Sequence, residues 1–545
     1  MKQSWRNWLL ASTAISIFYF IAIASIPNIV PITPHDDSLF LKLALRISQG
    51  QWLGDEYNSL TLAKGPFHSW QMATAYRLAI SPGFWLNCLY LFSAWLFCTL
   101  AMPACRWWLR SFGFLVFLLD PWKFTSFGVR LLREQTYIPL MIIALSLMVY
   151  SMDMICWPSI DFNRLKVPVN LRLITGLSLS GLAMGLLLIT REARVVIYAT
   201  IVFSLLLFIG ILFFCRRKSK GKISIFIVIL ISLLLLVPLP LSLVSYRNTQ
   251  VYGSPLTNEF EEGSFKTFYQ DLISIRLKAD HYKPWVPLTL STMDRLQETA
   301  PKTKLSSVLA ELNPNWKRFG CEQHKEACGE YGAGWLMWAL RDSLFQQTAI
   351  DSPIQLQLLI DDLRTDIKTI CEDNSHLYDC RRTAWGYLPY PSRWGHNRSI
   401  SLLLLGQFTN MLKGSFLPQL ISYPPASYES IDAQSKFAAK LRVRTVSLKS
   451  DQIQWSYYVA SIYNIGSLLR VAFVLFVLFL SFKLRVHASK FACDPGILVI
   501  CFIFTVQLLI FSLVELSSFH TGGYLIIASP LITAFFSRLL AVSQK

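Results

Sequence analysis

The sequence predicts an all-α polytopic membrane protein of about ten transmembrane helices that carries a mainly helical extracytoplasmic domain. Three observations lead there. Of its 545 residues, 53% are hydrophobic and only 15% charged, against roughly 25% charged in soluble domains. The apolar residues come in blocks that approach the roughly 20 helical residues needed to cross about 30 Å of hydrocarbon. The basic clusters between those blocks all fall on one side once ten spans are counted.

In order, the blocks are 9–30, 84–105, 112–119, 137–150, 173–190, 195–215, 223–244, 457–482, 497–514 and 524–540. In lipid only a helix satisfies its backbone groups within a single segment, so each is expected to be helical. Block 112–119 is the shortest and runs into Asp120 and Pro121. Lys2 and Arg6 precede the first span, and Arg106 and Arg110 follow the second. Arg164, Lys166 and Arg172 precede the fifth, and Arg216, Arg217, Lys218, Lys220 and Lys222 follow the sixth. Lys483, Arg485, Lys490 and Lys545 complete the set. This bias puts both termini in the cytoplasm. It also absorbs much of the net charge of +18, so no nucleic-acid partner is expected. The first apolar block is longer than a signal-peptide core and reads as an uncleaved span.

Three domains follow. Residues 1–245 form an N-terminal membrane module with a first outer loop at 31–82. Residues 246–456 form the extracytoplasmic domain, and 457–545 the C-terminal membrane helices. Within the domain, 334–347 and 354–370 read as helices, separated by turns rich in Pro and Gly. Segment 401–412 is apolar but too short to span. Four of the eleven cysteines, Cys321, Cys328, Cys371 and Cys380, lie in this domain. An even number in an exported domain favours disulfides. Three pairings are open, Cys321–Cys328 with Cys371–Cys380 being the local one, and the spacings fit zinc sites poorly.

The residues able to carry chemistry gather on the outer side. Asp36 and Asp37 follow a Pro-rich exit from the first span and open a short amphipathic helix whose stripe is Leu39, Phe40, Leu43 and Ile47. Capping accounts for one of the two carboxylates, and the helix is expected to lie along the membrane interface. Lys64 follows in KGPFHSW. Arg130, Arg133 and Glu134 stand at the mouth of the fourth span, and Arg191 and Glu192 at the outer end of the fifth. Arg247 and His520 are placed on the same side. Few ionisable groups are expected within the spans. Carboxylates suit deprotonation of a hydroxyl or amine nucleophile, and lysine and arginine suit a phosphate leaving group.

The acidic pair, the short amphipathic helix and KGPFHSW together resemble the first outer loop of the GT-C glycosyltransferases. These include protein O-mannosyltransferases and the aminoarabinose transferases of lipid A. The resemblance implies transfer of a sugar from a polyprenyl-phosphate carrier to a lipid, polysaccharide or protein acceptor, with inversion. Asp36 matches the family's catalytic base, Lys64-Gly65-Pro66 its Lys-Pro-Pro segment near the donor phosphate, and Glu134 a second acidic position. Thr190-Arg191-Glu192 is similar to its Thr-Arg-Pro-Glu turn without the proline. The last span lacks the arginine of the family's Arg-Tyr-Leu-Leu-Pro ending. Asp36, Asp37 and Glu134 are thus the expected catalytic set. Lys64, Arg130, Arg133 and Arg191 are expected at the donor phosphate, supported by Glu192, Arg247 and His520. No cofactor is certain; Asp37 and Glu134 are the residues that would hold a magnesium, manganese or calcium ion. The implied setting is a bacterial inner membrane with the site facing the periplasm. Rival readings are a transporter or lipid flippase, and a non-catalytic assembly protein. Trp335 and Trp338 fit a buried helix face better than a sugar platform.

Overall fold

The computed structural model describes residues 2–24, 36–125, 128, 130–156, 169–191, 194–214, 235–280, 283, 285–323, 325–332, 334–347, 350–380, short pieces of 406–415, 451–483, 494–517 and 528–543. Helices dominate, and the chain is an integral membrane protein. Five described helices are long and apolar enough to cross a membrane, their apolar windows being Pro82–Leu100, Glu134–Cys156, Leu171–Leu188, Arg194–Ile211 and Val459–Lys483.

In chain order the membrane module begins with α1 (Lys2–Ala24), followed by α2 (Asp36–Ser48), α3 (Phe67–Arg77), α4 (Pro82–Leu100) and α5 (Trp107–Leu118). It continues with α6 (Glu134–Cys156), α7 (Val169–Leu188), α8 (Arg194–Phe214) and α9 (Pro238–Tyr252). A lobe follows, built from α10 (Gly263–Ser274), α11 (Leu290–Thr299), α12 (Lys304–Ala310), α13 (Asn315–Gln323), α14 (Trp335–Gln347) and α15 (Pro353–Asp373). Among the described residues, a small two-stranded sheet pairs Arg276 with Asp379 and Leu277 with Tyr378. The chain closes with α16 (Asp451–Lys483), α17 (Pro495–Ser517) and α18 (Ser529–Ser543). The lobe helices expected at 334–347 and 354–370 are α14 and α15. The other expected spans correspond to α1, α5, α9, α17 and α18, where the helix is short or adjoins residues outside the description. Segments 215–234, most of 401–412 and 518–527 lie there.

Helix α6 is the centre of the bundle, with 83% of its apolar window buried, against 22% for α16. It packs on α4, α7, α8 and α17, so residues at its two ends are held from all sides. The lobe sits at the end of the bundle where α6 and α8 begin and α7 finishes. There Arg194 pairs with Glu261 and Glu262, each at 2.8 Å. Burial pushes the Glu262 carboxyl up, but hydrogen bonds from Arg194 and Thr257 outweigh it and bring the pKa down to about 2.

Three details differ from the reading above. The stripe of α2 is covered by protein: Leu39, Phe40, Leu43 and Ile47 join the lobe's apolar cluster with Phe265, Leu272 and Leu340. The lobe supplies the cover that lipid was expected to give. Trp8, which stands where the sequence leads one to expect an interfacial aromatic belt, is buried instead, edge-on to Phe114 at 5.8 Å. And the bundle holds more charge than expected. Helix α5 rises only about 18 Å, at ~1.5 Å per residue, so Asp120 falls inside the bundle. It accepts from Ser529 at 2.9 Å and Thr533 at 2.7 Å, with Arg470 at 3.4 Å. At the opposite end, Arg538 is fully buried and bonds Asp153, Asp494 and the Ala101 carbonyl at 2.6–2.9 Å. Every N–H of its guanidinium finds an acceptor.

The two disulfides take the local pairing, with Cα atoms 4.1 Å apart in Cys321–Cys328 and 6.1 Å apart in Cys371–Cys380.

Candidate functional site

Glu134 opens α6, and its carboxylate accepts from Arg191 Nη1 just beyond the end of α7. Both side chains are buried, at 3% and 6% exposure. One turn into α6, the ring of Tyr137 lies 5.9 Å from that guanidinium. Tyr137 also lines a small apolar cleft between α6, α7, α8 and α17, beside Met141, Leu145, Met184 and Ile197. A charged pair therefore stands beside a small apolar cleft inside the bundle.

Asp37 forms a second pair, with Arg130 Nη2, and is fully buried. Arg130 lies four residues before Glu134, and Gln135 ties the two positions together by donating to the Arg130 carbonyl. His68 packs between them. Its Nε2 faces the Leu131 carbonyl at 3.2 Å and its Nδ1 the Thr136 hydroxyl at 2.8 Å. A carbonyl only accepts, so Nε2 carries the proton and Nδ1 accepts from Thr136. Burial pushes the His68 pKa down to about 4; the Leu131 carbonyl and Asp37 pull it back, and Arg133 presses it lower. His68 is neutral, and Asp37 and Arg133 both lie within its electrostatic reach. Asp36 is half-buried in the first turn of α2, beside Asp37.

Lys64 reaches the set by a different route. Its ammonium stands 5.5 Å from the Phe260 ring and 5.9 Å from the Trp338 ring, both on the lobe. The next residue is pressed against the end of α7: a Cβ on Gly65 would meet the Ile189 carbonyl oxygen at 2.2 Å. Phe67 N–H donates to the same oxygen at 3.3 Å. Only glycine fits there. Since Ile189 immediately precedes Thr190 and Arg191, the Lys64 loop and the Arg191 turn are in direct contact.

Asp37, Arg130, Glu134, Arg191 and the Lys64–Gly65 segment thus form one connected group, with buried Arg133 and half-buried Asp36 beside it. Arg247 stands apart, exposed on α9 and donating to Gln250 at 3.4 Å. Glu192 and His520 lie outside the described residues. A divalent ion at Asp37 and Glu134 would meet two carboxylates that each already hold a guanidinium. Among the described residues no three His, Cys, Asp or Glu side chains cluster as metal ligands. The donor set fits arginine better than a metal.

Sequence reading missed the clamp that fixes the Lys64 loop. Arg341 of α14 is fully buried and pairs with Glu259 at 2.6 Å, while Tyr57 donates to Glu259 at 2.6 Å. Arg341 also donates to the Ser59 and Thr61 carbonyls at 2.5 and 2.7 Å, and Glu259 N–H to the Leu62 carbonyl at 2.8 Å. The lobe holds residues 57–62 and so aims Lys64. His68 was visible in KGPFHSW, but nothing local marked it as buried.

No protein-family model matches the chain, and no curated protein matches it. Two solved structures are similar, both of ArnT from Cupriavidus metallidurans, one in the apo state and one bound to undecaprenyl phosphate. Each shares 13% identity, with TM-scores of 0.32 and 0.30. They cover 99% and 98% of this chain and 77% of their own.

Proposed function

We propose that the protein is a membrane glycosyltransferase that moves a sugar from a polyprenyl-phosphate carrier to an acceptor at the lobe side of the bilayer, which we take to be extracytoplasmic. The observation that carries this reading is the placement of the Glu134–Arg191 pair beside a small apolar cleft between helices, joined to the Asp37–Arg130 pair. A carrier with a long apolar tail and an anionic head needs such a junction of lipid-like and cationic surroundings.

In this reading the prenyl tail enters the cleft, and the phosphate is held by Lys64 with Arg130, Arg133 and Arg191. Asp36 takes the proton from the acceptor hydroxyl or amine. The nucleophile then attacks the anomeric carbon in line. The carbon–oxygen bond to the phosphate breaks, and its electron pair leaves on the phosphate oxygen. Cationic side chains fixed before reaction stabilise that developing charge, the kind of contribution that often dominates catalysis. Asp37 and Glu134 orient Arg130 and Arg191.

Charges buried in a bundle are also the usual mark of a transport pathway. Here the Arg538 cluster is saturated with partners, which suits a structural clamp.

The test is mass spectrometry of envelope glycans and glycolipids from a deletion strain, beside a strain carrying Asp36→Asn. General-base loss should cut transfer on the order of 10²- to 10⁴-fold while expression and thermal unfolding stay as in wild type. Full turnover by Asp36→Asn would remove Asp36 as the base. A glycan profile unchanged in the deletion strain would remove the transferase.

A further inference from the structure

Lys123 is a buried charge that the mechanism above does not use. It sits in a short 3₁₀ turn, Pro121–Phe124, between α5 and the site, and is only 5% exposed. Among the described residues no carboxylate pairs with its ammonium. The group donates to Gln135 Oε1 at 3.3 Å and stands 5.5 Å from the Trp122 ring and 5.9 Å from the Tyr90 ring. Those rings are themselves held. Trp122 Nε1 donates to the Tyr90 hydroxyl at 3.2 Å, and the Trp122 N–H donates to Asp120 at 3.3 Å.

A buried charge is ordinarily paired, because taking it out of water is costly. Arg538 shows that solution in the same bundle, with carboxylate oxygens at 2.6–2.9 Å. The arginines of the site follow it too: Arg130 holds Asp37 and Arg191 holds Glu134, so each pair is close to neutral. Lys123 differs. Aromatic faces recover part of its desolvation cost but leave the positive charge in place. That charge stands one side chain away from Arg130, because Gln135 accepts from Lys123 with its amide oxygen and donates from its amide nitrogen to the Arg130 carbonyl. An ammonium only donates and a carbonyl only accepts, so the amide serves both in a single orientation.

We propose that Lys123 is a positioning residue of the donor site: it holds Gln135 and through it the backbone of Arg130, and its charge favours an anionic lipid headgroup at the Asp37–Arg130 pair without touching it. In the low dielectric of the bundle an unneutralised charge acts beyond contact distance. That the headgroup is the carrier's phosphate rests on the transfer reading.

The experiment is a binding titration of the full-length protein in detergent micelles with geranylgeranyl phosphate and with geranylgeraniol, its neutral counterpart. Wild type should bind the phosphate more tightly than the alcohol. Lys123→Met should weaken phosphate binding about tenfold and leave the alcohol unchanged, and Lys123→Arg should keep most of the preference. Gln135→Glu preserves the shape of the side chain and gives the ammonium a carboxylate partner, which favours folding. It also neutralises Lys123 and turns an acceptor toward the Arg130 carbonyl, so it too should lose the preference. A role in packing alone would lower affinity for both probes or for neither. The inference is overturned if Lys123→Met or Gln135→Glu discriminates as wild type does, or if Lys123→Met loses both probes equally. A preference that survives Lys123→Met in a chain whose transfer depends on Asp36 sinks the inference alone. A Lys123-dependent preference in a chain whose deletion leaves the glycan profile unchanged sinks the transfer reading alone. Equal binding of the two probes by wild type sinks both.

Discussion

Glu134 and Arg191 stand 57 positions apart in the chain and meet as a buried ion pair where α6 begins and α7 ends. Removing one partner leaves the other charge buried without compensation, which costs about 3–5 kcal/mol. Glu134→Gln and Arg191→Met should each lower the unfolding temperature in detergent. The double variant should regain most of that loss, because an apolar replacement of both partners is often neutral, yet stay inactive. A double variant as unstable as either single one would show that the pair is not the source of the cost.

Gly65 tests how firmly the Lys64 loop is seated. Alanine at this position must push against the Ile189 carbonyl, and overpacking costs about 1–3 kcal/mol. Gly65→Ala should therefore lower the unfolding temperature and raise KM for the lipid donor more than it lowers kcat, since it displaces Lys64 and leaves Asp36 in place. Steady-state kinetics on purified protein decides; wild-type values of KM and unfolding temperature would mean that the contact yields freely.

Neutral His68 makes stability depend on pH. In the folded protein it titrates at about 4, whereas a free histidine does so at about 6.5. Between those values the unfolded chain binds a proton that the folded chain does not, so stability falls as the pH is lowered. The loss approaches about 1.4 kcal/mol per pH unit within the window and stops growing below the folded value. Glu262 acts lower, losing its contribution as the pH falls toward about 2. Unfolding temperatures at about pH 6.5 and about pH 5 should differ in wild type and converge in His68→Gln. Equal slopes in the two proteins would show that His68 titrates normally.

At the far end of the bundle, the saturated partners of Arg538 suit a role in folding. Arg538→Met abandons the carboxylates of Asp153 and Asp494 and should cost about 3–5 kcal/mol or more. The yield of folded protein should drop while turnover per folded molecule is unchanged, as measured by size-exclusion chromatography followed by assay of the monodisperse peak. Normal yield would place less weight on this cluster than its geometry suggests.

The helices were legible because hydrocarbon demands long apolar blocks, and a short one such as α5 was flagged by Asp120 and Pro121 at its end. Asp37, Arg130, Glu134 and Arg191 were legible as charges at the ends of such blocks. What could not be read was which carboxylate takes which cation, since the partners lie 93 and 57 positions apart. The same distance hid Arg341, which looks like an ordinary surface residue of an amphipathic helix until Glu259 and the Ser59 carbonyl are placed beside it. Buried charges such as Arg538 escaped because a lone arginine in a short apolar stretch resembles a span end.

Both cystine bridges close small rings, joining residues seven and nine positions apart. Chain entropy favours the closure of short rings over long ones, so each thiol finds its proper mate before more distant candidates compete. Both bridges lie wholly within the lobe, and neither reaches a membrane helix. Of the three conceivable connectivities, the one present is the one that asks least of the surrounding architecture.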